Sequence, residues 1–278
     1  MKVYISADIE GISGIVHPEQ TLMGGKDYQQ GRGLMIKEVN AAIEGALAGK
    51  ADEIVVCDAH ANQFSLLPEE LHPKALLVSG NNKPFSSMLE GIDETFACVF
   101  FIGYHARAGV RDGVLNHTYF AKEVQAVTLN GIAVGEIGIN AALAGACNVP
   151  VRLVTGDQAA VKEAEALLGN PVTVSVKKGC GRYSAVCRHP EIVRNEIRQA
   201  AQEALVHSNA TAPYALQKPV RMELEFSDSA MADAAALMPH VERPGDRRIG
   251  YVDQDFKNVY KFFRAALFLA HAVCRMDY

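Results

Sequence analysis

Short apolar runs alternate along the chain with longer amphipathic stretches. Val3–Ala7, Ile54–Cys57, Ala75–Val78, Ala97–Ile102 and Val151–Val154 are short and largely apolar. Such runs suit strands buried on both faces, as in a parallel sheet covered by helices. Between them, Gly33 to Leu47 sets Met35, Val39, Ile43 and Leu47 on one helical face, and Gly49 ends the pattern. Further helices are predicted over 137–147 and Ala159–Leu168. Leu129-Asn130-Gly131-Ile132 predicts a hairpin with a type I′ turn. Stepping outward from that turn pairs Gln125 with Glu136 at the hairpin's base. The alternation predicts an α/β fold, a layered and mainly parallel sheet with helices on both faces.

The pattern changes after a linker near 175–190. Pro190–Val206 reads as an amphipathic helix, Arg221–Phe226 as a strand with Met222, Leu224 and Phe226 on one face, and Ser227–Leu237 as an alanine-rich helix. Arg248–Val252 and Asn258–Val273 add a strand and an apolar helix. We therefore expect a smaller α+β C-terminal domain and a division into residues 1–175 and 176–278. A chain of 278 residues lies near the upper limit for a single core.

Charge narrows the function. Residues 1–150 carry 10 basic and 17 acidic groups, net −7; the remainder carry 17 and 15, net +2, giving −5 in all. An acidic first half argues against a nucleic-acid partner, which demands clustered Lys and Arg. The longest apolar run, Phe96 to Ile102, is too short for a bilayer. Cys57, Cys98, Cys147, Cys180, Cys187 and Cys274 form no CxxC pair and read as buried reduced thiols of a cytoplasmic protein. Dinucleotide, P-loop and serine-hydrolase signatures are missing.

Several polar residues sit where strands should end. Asp8 and Glu10 follow the first strand, Asp58 and His60 the second, and Tyr104 and His105 the Phe96–Ile102 run. Parallel strands bring their carboxyl ends to one edge, where α/β sheets bind ligands. Asp8, Glu10, His60 and His105 are thus expected to converge, with Glu136 a buried carboxylate in need of a cation. Three carboxylates and two imidazoles suit zinc, with manganese or cobalt as alternatives. Five ligands are more than one catalytic ion uses, and two ions sharing a carboxylate would use them well. Taken singly, each residue also fits a helix cap, a hydrogen-bonded histidine or a solvated carboxylate. His117 is a candidate general base or a loop histidine. Arg107 is a candidate carboxylate partner or a surface ion pair, and Asp157 an amine ligand or a helix N-cap. His189, His207, His240 and His271 read as structural.

The opening Met1–Gly14 segment resembles the start of the M55 family of zinc D-aminopeptidases. The resemblance continues through Asp58-Ala-His60, Leu71-His-Pro73, Lys83-Pro-Phe85, Gly103-Tyr-His105-Ala-Arg107-Ala, Asn116-His117 and Val134-Gly-Glu136-Ile-Gly-Ile-Asn140. It implies two zinc ions on Asp8 (bridging), Glu10, His60, His105 and Glu136, with His117 catalytic. It also implies a homodecameric ring that releases N-terminal D-amino acids, notably D-Ala, from short peptides. Asn116 departs from the small hydroxyl residue expected beside the histidine. Two other classes remain open at this point: a different dinuclear metallohydrolase such as a phosphoesterase, and a non-catalytic metal-dependent peptide-binding protein.

Overall fold

The computed structural model describes residues 1–206 and 211–274. In chain order the elements are β1 (Lys2–Ala7), α1 (Tyr28–Ala48), β2 (Glu53–Asp58), β3 (Ala75–Val78), β4 (Cys98–Tyr104), β5 (Val124–Leu129), β6 (Ile132–Val134) and α2 (Glu136–Ala146). There follow β7 (Val151–Asp157), α3 (Gln158–Leu168), β8 (Val172–Gly181), β9 (Ser184–Cys187), α4 (Pro190–Val206) and β10 (Val220–Phe226). The chain ends with α5 (Ser229–Ala235), β11 (Glu242–Gly245), β12 (Arg248–Asp253) and α6 (Phe256–Cys274).

Seven strands form the main sheet in the order β3-β2-β1-β4-β7-β8-β9. Its pairings are parallel except for β8–β9. Both faces are covered, so strand residues alternate between two cores. Val3, Ile5, Phe100 and Ile102 meet α1 and α4, while Tyr4, Val99 and Phe101 share a core with α2, α3 and α6. Full burial of each large apolar side chain contributes about 2 kcal/mol, which fixes the register by fixing which face each residue occupies.

A second, antiparallel sheet runs β11-β12-β10-β5-β6 against α5 and α6. Two features cross the expected boundary at residue 175: β8 runs through it inside the main sheet, and the β5–β6 hairpin of the first half belongs to the second sheet. Residues 175–190 are not a linker, because β8 continues to Gly181 and returns as β9. The first long helix starts at Tyr28, before Gly33. Gly31 lies inside it, where a Cβ would come within 2.0 Å of the Gln20 carbonyl oxygen; close packing explains a glycine that reads locally as a helix breaker.

The hairpin turn forms as expected, with Asn130 and Gly131 at φ 48° and 82° and Leu129 opposite Ile132. The ladder nevertheless ends at Val127–Val134, and Glu136 opens α2 rather than facing Gln125. Cys57, Cys98 and Cys147 are buried, whereas Cys180 and Cys187 are exposed near the β8–β9 turn, against expectation. The side chain of Cys274, together with His207, lies outside the described residues. Among the described residues, no helix is long and apolar enough to cross a membrane.

Candidate functional site

Three adjacent strands deliver the site. Ala7 of β1 lies level with Asp58 of β2 and Ile102 of β4, so their carboxyl ends open on one edge. Asp8 and Glu10 leave β1, His60 follows β2 by two residues, and His105 follows β4 directly. The Asp8–Gly11 turn crosses the end of β4, with the Gly11 amide donating to the Gly103 carbonyl at 2.8 Å. Gly103 has φ +72°, and a Cβ there would lie 2.3 Å from the Asp8 carbonyl oxygen. Only glycine meets both conditions without strain.

All five expected ligands and His117 come together. They form two sets, Asp8–Glu10–His60 and His105–His117–Glu136. His60 Nδ1 lies 3.2 Å from Asp8 Oδ1 and 3.1 Å from Glu10 Oε2. His105 Nε2 lies 3.6 Å from Asp8 Oδ2 and 3.5 Å from Glu136 Oε1, and His117 Nε2 lies 3.8 Å from the same Glu136 oxygen. The two carboxylate oxygens of Asp8 therefore face different sets. The rings of His105 and His117 stack at 4.1 Å. All but partly buried His117 are buried.

Each imidazole is held from behind. His60 Nε2 donates to the Thr21 carbonyl at 2.8 Å, His105 Nδ1 to Ala106 at 2.9 Å, and His117 Nδ1 to Leu115 at 2.9 Å. In the neutral ring that bond fixes the tautomer and leaves the other nitrogen as a lone pair facing the site. The inward nitrogens then meet carboxylate oxygens, acceptor against acceptor. Glu10 Oε2 and His105 Nε2 are buried with no hydrogen-bond partner among the described residues. Such a set needs protons or cations between its members.

The acid–base properties express the same demand. Burial, and then the Glu10 charge, pushes Asp8 up to about 7. Burial opposes the charged forms of His60 and His105, but Glu10 and Asp8 for one, and Glu136 for the other, outweigh it and raise both well above the usual imidazole range. Burial likewise works against Glu10 and Glu136, yet the neighbouring His60 and His105 hold both below the usual carboxylate range. His117 is lowered by burial and by His105. Mixed oxygen and imidazole donors in two sets sharing one carboxylate fit a pair of borderline divalent ions.

The D-aminopeptidase family of M55 peptidases matches residues 1–265. The chain belongs to this family. It is 37% identical over 264 residues to a D-aminopeptidase of Bacillus subtilis (strain 168), covering 94% of each chain. It also matches the structure of the Zn-dependent D-aminopeptidase DppA from Bacillus subtilis, described as a self-compartmentalizing protease, with a TM-score of 0.95, 35% identity and full coverage of both chains.

Within this M55 chain, other polar residues have supporting places. Asp157 N-caps α3 through the Ala160 amide and also accepts from the Val114 amide at 2.7 Å, which ties down the His117 loop. Asn116 donates to the Val110 and Gly113 carbonyls, closing the turn before His117. Arg107 lines a cavity of about 550 Å³ with Arg111, Lys162 and Lys178, and its guanidinium donates to the Ala108 carbonyl at 3.4 Å. Glu163, not apparent from sequence, accepts from the Arg107 and Gly135 amides and joins the His105 segment to the start of α2. Of the remaining histidines, His189 accepts from the Glu191 amide and His271 pairs with Glu123.

Proposed function

We propose that the protein is a metal-dependent D-aminopeptidase that removes N-terminal D-amino acids of the D-Ala type from short peptides, and that it binds two zinc ions per chain. Asp8, with Glu10 and His60 on one side and His105 and Glu136 on the other, would hold the ions, with Asp8 shared between the two sets. The observation carrying this reading is the split of the Asp8 oxygens between two donor sets, each short of positive charge. Bound there, the ions supply Lewis acidity towards the scissile carbonyl and lower the pKa of an attacking water.

The chain's residues do the rest. Burial keeps His117 neutral at neutral pH, and its Nδ1–H is engaged by Leu115, so only Nε2 is free to take a proton. His117 Nε2 accepts the proton from the nucleophilic water and returns it to the leaving amine. Glu136 is kept from swinging by the Tyr119 amide, which donates to its Oε1 at 2.6 Å. The exposed free thiols of Cys180 and Cys187 suit a reducing compartment, and we place the enzyme in the cytoplasm. A homodecameric ring accords with the self-compartmentalizing relative.

Incubation with D-Ala-D-Ala, L-Ala-L-Ala and a phosphate ester, with and without chelator, tests the reading. Hydrolysis of the D-peptide alone, lost on chelation and restored by zinc, is expected. Cleavage of the ester alone would make the site that of a phosphoesterase, and binding without turnover would make it a peptide receptor. Asp8→Ala is expected to lose both ions; full occupancy by elemental analysis would remove Asp8 from the bridging role.

A further inference from the structure

We infer that Lys177 is a positioning residue whose ammonium clasps the loop that aims the Glu10 carboxylate at His60. The inference rests on the metal reading above, since it concerns a ligand of that site.

Lys177 lies on β8 level with Asp157 of β7, 1% exposed. Its Nζ donates to the carbonyl oxygens of Glu10 at 2.5 Å, Ile12 at 2.8 Å and Ile15 at 2.5 Å. Three donors meet three acceptors, which uses the whole capacity of an ammonium. Those acceptors belong to one loop, the one that leaves β1 with Asp8 and Glu10.

Three of the loop's amide donors are served from elsewhere, Asp8 by Ile102, Gly11 by Gly103, and Ser13 by the Glu38 carboxylate of α1 at 2.9 Å, while those of Ile9, Ile12 and Ile15 bond within the loop. Its carbonyl acceptors at Glu10, Ile12 and Ile15 converge on Lys177. Buried carbonyls need partners, and without the ammonium these three would keep only the local bond from the Ile15 amide to the Ile12 carbonyl. Among the described residues Lys177 has no hydrogen bond to a carboxylate, so a large desolvation cost is met by backbone dipoles of a single segment.

Glu10 is the residue through which this acts. Its carbonyl is held by Lys177 on one side, and its Oε2 stands 3.1 Å from His60 Nδ1 with no hydrogen bond to hold it. The His60 contact apart, the side chain is oriented by its own backbone, and that backbone is held by Lys177. Lys177 touches none of the reacting groups directly.

The test measures zinc affinity in Lys177→Met, Glu10→Gln and the double variant, together with the visible spectrum of the cobalt-substituted proteins. Outer supports of metal ligands typically change affinity by roughly 10- to 100-fold. Lys177→Met is expected to weaken one zinc equivalent per chain by about tenfold or more and to alter the cobalt spectrum. In the Glu10→Gln background the same change should have almost no further effect on affinity, because both act through one carboxylate. A core truncation, Leu205→Ala, lowers thermal stability without weakening zinc and so controls for general loosening. Unchanged zinc affinity in Lys177→Met, or a full additional loss in the double variant, would overturn the inference. Should Lys177→Met not fold, Lys177→Gln, which keeps a donor for part of the clasp, is read against the same two criteria. If Glu10→Gln itself leaves affinity unchanged, the metal reading of Glu10 fails instead, and the two failures are told apart.

Discussion

At the scale of single residues, each histidine is specified by two contacts, a backbone carbonyl behind it and carboxylate oxygens in front. His117 differs from His60 and His105 in the balance between them. It is partly exposed, its nearest carboxylate oxygen is 3.8 Å away, and burial with the His105 charge lowers its pKa where the other two are raised. A proton acceptor at Nε2 is therefore available at neutral pH. His117→Ala is expected to lower kcat by roughly 10²- to 10⁴-fold while leaving two zinc ions per chain by elemental analysis. Loss of one ion instead would make His117 a ligand of the second set, a place its geometry also allows. A base at His117 works only when neutral, so in that role activity should fall with acid through a midpoint below 6.5, and that limb should be missing from the residual activity of the variant.

At the scale of elements, α1 and β8 grip the ligand loop from two sides, and α1 does so with an unusual carboxylate. Glu38 is 1% exposed, accepts from the Ser13 amide through Oε1 and leaves Oε2 without a partner; burial pushes it up to about 7. Its folded value lies above its unfolded value near 4.5, so its favourable contribution is complete below 4.5 and is lost as pH rises through about 7. Glu38→Gln keeps an acceptor for Ser13 and removes the titration. Relative to the wild type, the variant should gain stability between pH 5 and pH 8, up to about 3 kcal/mol, read from urea midpoints in paired buffers. A constant difference across that range would show that Glu38 is already ionised in the folded protein.

The same elements show what the sequence makes legible. Strand ends are readable because parallel strands are apolar throughout and stop abruptly at Asp8, Asp58 and His105; ligand candidates follow from the stops. Glu136 was expected by counting outward from the Asn130-Gly131 turn, but the ladder ends two residues sooner and α2 begins at Glu136 itself. The carboxylate still reaches the site, now at a helix N-terminus where negative charge is favoured. Lys177 and Glu163 leave no local signal, because their partners are backbone groups of segments distant in sequence. Pairing of β5–β6 with β10 is equally silent, since both hairpin and strand simply alternate.

At the scale of the molecule, a site that concentrates three carboxylates on one sheet edge links metal binding to pH. Without ions, raised His60 and His105 and an Asp8 near 7 carry protons that zinc must displace. Zinc binding should release protons, seen as a buffer-dependent heat in calorimetry, and apparent affinity should rise from pH 6 to pH 8. Chelation should lower the thermal midpoint, since each ion at a hundred times its dissociation constant contributes about 2.7 kcal/mol. A buffer-independent heat would mean that the inward nitrogens are already free of protons.

Several large apolar side chains of the chain are exposed. Leu22 and Met23 are 55% and 62% exposed beside Thr21, the residue that anchors His60, and Phe64 lines the same depression at 43%. Phe85, on the segment following β3, is 70% exposed. Apolar groups exposed together beside the residue that anchors His60 favour burial against another copy. If ten 30.0 kDa chains close a ring, sedimentation at micromolar concentration should give a single species of roughly 300 kDa. Phe64→Glu should break it into smaller species, because a charge buried at a contact lacks a partner. Peptide hydrolysis by such fragments would separate the chemistry of the edge from the enclosure around it. A wild-type monomer would rule out the ring and leave these side chains to be explained by substrate binding alone.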